Sequence, residues 1–153
     1  MEARLYNGVL TITAVASTRP KVVENNYVYT QSVKGTLMLL RSLKGWATLV
    51  HTIVLQAPSR HILPDVPSST LVGECWELVK HYKHFLRHVI IHAGFFRNET
   101  ELDCFTQFIF GGFYLRSLES FSQYDVNDTM STYWVERSSQ YADDIVNIDR
   151  FHP

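Results

Sequence analysis

Residues 71 to 96 constrain the fold more than any other stretch, because one half has helical periodicity and the other is built like a strand. Leu71, Leu78, Val79, Tyr82, Phe85, Leu86 and Val89 recur at helical spacing, and the polar positions between them fall on the opposite side. Four histidines, His81, His84, His88 and His92, follow one another at spacings of three, four and four. On a helix they share an arc of roughly 80° with Glu74 and Glu77. The run VIIHAGFF, residues 89–96, is nevertheless strand-like. The segment is therefore an amphipathic helix with a His/Glu stripe, or a helix that runs into a strand near Arg87.

The flanking sequence supplies further strands. Leu5 to Val15 alternates with β-branched residues and reads as a strand, broken at Ser17-Thr18-Arg19-Pro20. Asn26 to Thr30 reads as a second extended piece. Ser32 is placed to cap a helix of about twelve residues that carries Leu37, Leu39, Leu40 and Leu43 and ends at Gly45. Trp46 to Leu55 reads as a buried strand, and 58–69, with three prolines, as a loop. Ser68 or Ser69 then caps the His-bearing helix. Asn98 to Asp103 is polar and loop-like, Phe105 to Leu115 strand-like, and Ser131 to Glu136 a possible last strand. The fold predicted is α+β: one domain over residues 1–142, a mixed or antiparallel sheet of about five strands, and two main helices. Residues 143–153 form an acidic C-terminal docking segment.

A chain of 153 residues with 46% hydrophobic content is long and apolar enough to bury a core. Net charge is −1, yet it is unevenly placed. Met1 to Phe96 holds ten Lys/Arg against five Asp/Glu, whereas Ser117 to Pro153 holds two Arg against seven acids. That asymmetry suits pairing of the two ends or head-to-tail contact between copies. The basic half has no dense Lys/Arg run of the kind that binds nucleic acid. Cys75 and Cys104 form no CxxC pair and read as free buried thiols in a reducing compartment. With no secretory n-region and no apolar run of membrane-spanning length, the expectation is a soluble, intracellular protein.

Catalytic patterns are missing. There is no Gly-x-Ser-x-Gly, no HExxH, no Glu-x-x-His and no phosphate-cradling glycine loop. A non-enzymatic protein without a cofactor or a dedicated metal is expected. The interaction residues singled out are Lys80, His81, Lys83, His84, Arg87 and His88 on the basic side. Asp143, Asp144, Ile148, Asp149 and Phe151 are singled out on the acidic segment. Imidazoles that titrate near pH 6.5 would add positive charge to the first group and tighten its contact with the second on mild acidification. Two alternatives stand beside this reading: a metal-binding protein or metal-dependent enzyme using the His/Glu stripe, and an RNA-binding or silencing-suppressor module using the aromatic run Phe105 to Tyr114.

The layout of the first 60 residues, with the strand Asn7-Gly8-Val9-Leu10-Thr11-Ile12, the Arg19-Pro20 break, a short helix, Gly45-Trp46 and the apolar strand Leu49 to Leu55, resembles the start of the core of rhabdovirus matrix proteins. The chain has neither a PPxY motif nor that family's Lys-rich N-terminal tail. The resemblance implies a small non-enzymatic protein that self-associates, condenses a nucleocapsid and contacts the anionic inner face of an envelope. Its partners would be itself, a nucleoprotein and a membrane surface, and its location the host cytoplasm and the virion.

Overall fold

A two-residue turn opens the architecture. Asn7 (φ 49°) and Gly8 (φ 77°) both adopt left-handed backbone, the Asn-Gly hairpin conformation whose twist matches that of paired strands. The single strand read over residues 5–15 is therefore a hairpin, in which β1 (Glu2–Tyr6) folds back antiparallel on β2 (Val9–Thr13). The computed structural model describes residues 1–14, 22–24, 27–29, 32–42, 50–57, 68–111 and 115–135. The predicted break at 17–20, the helix end at Gly45, the loop from 58 to 67 and the docking segment 143–153 lie outside them.

Beyond the hairpin come β3 (Val22–Glu24), β4 (Tyr27–Tyr29), α1 (Val33–Ser42), β5 (Thr52–Gln56), α2 (Ser68–His81), β6 (His88–His92), α3 (Glu99–Phe110), β7 (Ser120–Tyr124) and β8 (Met130–Trp134). The fold is α+β with one mixed sheet, in the order β3-β4-β1-β2-β5-β6-β7-β8. Strands β2, β5, β6 and β7 are mutually parallel, and antiparallel pairs flank them on both sides. Among the described residues there are eight strands and three helices, close to the five or so strands and two main helices expected. The hairpin split and the polar β7 account for two of the extra strands.

Three crossovers, from β2 to β5, β5 to β6 and β6 to β7, each step the same way across the sheet. Right-handed connections then place α1, α2 and α3 on one face, and α2 packs against both of the other helices. Leu10, Ile12, Ile53, Leu55, Val89, Ile91 and Phe121 point into this layer and are buried. Leu37 and Leu40 of α1, Leu71, Leu78 and Val79 of α2, and Phe105 and Ile109 of α3 are buried with them. At the α3 end the Phe121 ring lies 6.4 Å from Phe105 and 5.7 Å from Phe110.

Helix α3 overturns the strand read from residue 105 as far as Phe110 and the loop read over 98–103, and residues 112–114 lie outside the described residues. Asn98 is its N-cap, its side-chain oxygen accepting the Glu101 N–H at 2.9 Å. The Arg97 N–H in turn donates to Glu101 Oε1 at 2.7 Å. This reciprocal cap starts a helix, and Phe105 and Ile109, four apart, anchor its buried side. Asn98→Ala is expected to cost about 1 kcal/mol of stability, measured as a lower urea midpoint with an unchanged slope.

Candidate interaction surface

Side chains alternate across a strand, so each residue that enters the helix layer leaves a neighbour on the opposite face. Pairing register aligns these neighbours into rows. One row runs Tyr6, Val9, Thr52, His88, Ser120, Trp134, and the next runs Arg4, Thr11, Val54, Ile90, Ser122, Thr132. Thr52, Ser120 and Ser122 are buried in these rows, but none of the large residues is. Trp134 is 63% exposed, Tyr6 59% and Met130, one position further along, 53%. No described helix covers this side of the sheet.

Hydrogen bonds and ring contacts hold the surface in place. His88 Nδ1 lies 2.7 Å from Ser120 Oγ, and the hydroxyls of Ser122 and Thr132 meet at 3.0 Å. Gln56 Nε2 donates to Thr13 Oγ1 at 3.1 Å. His92 stacks on Tyr124, with centroids 4.5 Å apart and planes within 9°. Arg4 sits 5.5 Å over the Tyr6 ring. On β1, β2 and β5–β8 the only Asp, Glu, Lys or Arg on this side are Glu2 and Arg4. A pre-ordered, nearly uncharged sheet with an aromatic and thioether border suits a protein surface better than a phosphate backbone.

The histidine stripe is not a helix face. Helix α2 stops at His81, its end tightened by three-residue turns such as Tyr82 N–H to Val79 O at 3.1 Å and Lys83 N–H to Lys80 O at 3.2 Å. Buried Tyr82 and Leu86 then draw the chain inward before β6 begins. Of the two readings of this segment, the helix that runs into a strand is the one the structure adopts. His81 packs edge-on against Tyr82 at 4.7 Å. His84 is exposed in the turn, its carbonyl accepting from Ser117 Oγ at 3.0 Å. His88 and His92 stand on the uncovered sheet face.

The two glutamates have structural partners. Glu74 Oε1 accepts the Lys34 N–H in the first turn of α1, and Glu77 pairs with Lys80 at 2.7 Å. Lys83 is half-buried in the turn, and exposed Arg87 pairs with Glu119 at 2.8 Å. Among the described residues no group of three or more His, Cys, Asp or Glu could hold a metal ion. Burial, with Arg41 adding to it, lowers the His81 pKa. Its folded pKa lies below the unfolded value, so protonation opposes folding, and stability falls as pH drops below the ordinary imidazole range. The acidic residues Asp143, Asp144 and Asp149, with Ile148 and Phe151, lie outside the described residues.

Cys75 is buried and Cys104 exposed, which corrects the reading of two buried thiols. Burial pushes the Cys75 thiol well up, and Glu74 and Glu101 add to it. A thiol reagent at neutral pH is expected to label Cys104 alone in the native protein and both residues in denaturant. Labelling of Cys75 at the same rate would contradict this packing.

A cleft of about 490 Å³ lies at the C-terminal ends of β6 and β7, between the Gly94 turn, the start of α3 and the β7–β8 turn. Its walls are mixed, with Ile91, Phe96 and Leu102 beside Arg97, Gln123 and Asp125. Asp125 Oδ1 is occupied by the Asn127 and Thr129 N–H groups at 2.8 and 2.9 Å. No helix among the described residues is long and apolar enough to cross a membrane. No family model, curated protein or solved structure shows a significant match to the chain.

Proposed function

We propose that this chain is a non-enzymatic, self-associating assembly protein, and that the uncovered sheet face is the surface its assemblies bury. The observation that carries the reading is the single-sided winding. Every described helix sits on one face, and the other presents Tyr6, Val54, Ile90, Met130 and Trp134 with almost no charge. Eight strands at about 4.8 Å spacing and five residues at about 3.3 Å rise make a platform of roughly 34 by 16 Å. Its planar footprint is at most about 540 Å², since β3 and β4 have only three residues each, or roughly two-thirds of the ~800 Å² that one side of a standard interface contributes, before side-chain relief is added. The resemblance of the N-terminal sequence to matrix proteins adds to this reading. On that reading the assemblies meet a nucleocapsid and an anionic membrane, inside the host cell and in the virion.

Ile90 tests the proposal, since it is central in the sheet, half-buried and on the uncovered side. Ile90→Lys is expected to keep the helical circular dichroism and lose at most about 1 kcal/mol, the range of strand propensities. Association should weaken roughly tenfold or more, because a desolvated ammonium then faces the partner. Sedimentation unchanged from the parent would remove the face from the interface.

A further inference from the structure

We infer that strand β8 is a self-complementary edge, and that two copies of this chain join by antiparallel β8–β8 pairing about a two-fold axis at Thr132. The inference rests on the self-association reading for its partner and adds the contact and its register.

The hydrogen-bond phase of β8 follows from its ends. Asp125 N–H donates to Thr129 O at 3.0 Å and Val135 N–H to Glu119 O at 2.9 Å. With the register Gln123↔Ser131 and Phe121↔Tyr133, Thr129, Ser131, Tyr133 and Val135 turn their main-chain groups toward β7. In an antiparallel ladder the alternate residues turn theirs outward. Met130, Thr132 and Trp134 therefore present N–H and C=O groups to an edge that no other described strand occupies. The same three side chains stand on the uncovered face.

The two edges of the sheet differ. β3 at the far edge is three residues long, with Glu24 inside it and Pro20 and Lys21 just before it in sequence. Short, charged, proline-flanked edges resist strand addition. β8 has five residues, MSTYW, with no charge, proline or glycine. Nothing in it repels a second copy.

A two-fold axis at Thr132 pairs Thr132 with Thr132 of the partner subunit, and Met130 with Trp134 of the partner subunit. Three outward residues per copy then exchange about six main-chain hydrogen bonds. On the uncovered face each Met130 thioether meets an indole, and two threonine hydroxyls meet at the axis. Both are favourable cross-strand pairs. A heterologous strand would satisfy the main chain but not this reciprocal side-chain match, which selects a second copy as occupant. The sheet would run continuously through the dimer, doubling the platform that the assembly buries.

Thr132→Pro tests the pairing. The Thr132 N–H points outward, so proline removes an edge donor while leaving the β7 ladder bonded. It also removes the hydroxyl that meets Ser122, and Thr132→Val controls for that loss. Sedimentation equilibrium of the full chain should show dimer association weakened roughly tenfold to a hundredfold by Thr132→Pro and little changed by Thr132→Val. Hydrogen exchange on the unaltered protein gives an answer even if the proline variant misfolds. Amides of Met130, Thr132 and Trp134 should slow as concentration rises, while those of Ser131 and Tyr133 stay slow throughout.

If Thr132→Pro dimerises like the parent, or the three outward amides exchange fast at every concentration, the edge pairing is wrong. If Ile90→Lys then still disperses the assemblies, the self-association reading survives that failure. A parent chain that is monomeric at all concentrations overturns both.

Discussion

Phe121→Ala is expected to remove about 3–5 kcal/mol of stability, the usual loss for a large aromatic truncated in a close-packed core. Phe121 is 0% exposed and central in β7, which is hydrogen-bonded to β6 on one side and β8 on the other. Its ring is the wall against which α3 packs, through Phe105 and Phe110. Phe105 in turn touches Phe96 at 5.3 Å, in the loop that leads into α3. The cavity therefore opens where strand, helix and loop meet, and the surrounding rings are too rigid to close it. Against a total of about 5–15 kcal/mol for a domain, the loss leaves a marginal fold. Urea denaturation followed by circular dichroism measures it. A loss below about 1 kcal/mol would mean that α3 does not depend on this contact.

Opposite outcomes are expected for adjacent residues of β6. Ile91 is 3% exposed and points into the helix layer, while Ile90 is half-buried on the other side. Ile91→Lys puts an unpaired ammonium beside Leu55 in the buried apolar layer, and a charge there costs several kcal/mol or forces the strand out of the sheet. Loss of cooperative unfolding is the expected result for Ile91→Lys, against a retained fold and lost association for Ile90→Lys. Two folded variants, or two unfolded ones, would mean that the sheet is not covered on one side only.

Much of this architecture was legible in the sequence, and the gaps have physical causes. Ser32 as a cap, α2 from Ser68 and the strand near Tyr133 follow from local signals that the structure keeps. The Asn7-Gly8 turn was equally local, but β-branched residues on both sides disguised it as one strand. Phe105, Phe108 and Phe110 have strand propensity, so only the Asn98–Glu101 cap and the Phe105–Ile109 spacing mark α3 as a helix. β7 escaped because its sequence, SFSQY, carries hydroxyls where a buried strand would carry aliphatics. Those hydroxyls face the uncovered side.

The histidines show why spacing alone does not identify a site. Residues four apart share a face on a helix of period 3.6 and also on a strand of period 2. His88 and His92 keep their alignment in β6, but it is a different alignment from the one shared with His81 and His84. Trp134, Met130, Ile90 and Thr132 entered no sequence motif. Their common face depends on register between strands far apart in the chain, which no single stretch of sequence displays.

Burial between copies of the sheet face that no described helix covers is tested most directly by light scattering across concentration and salt. The mass should rise above that of one chain as concentration increases and should persist in high salt, since an almost uncharged surface owes little to screened electrostatics. A mass fixed at one chain up to the highest attainable concentration would contradict the account.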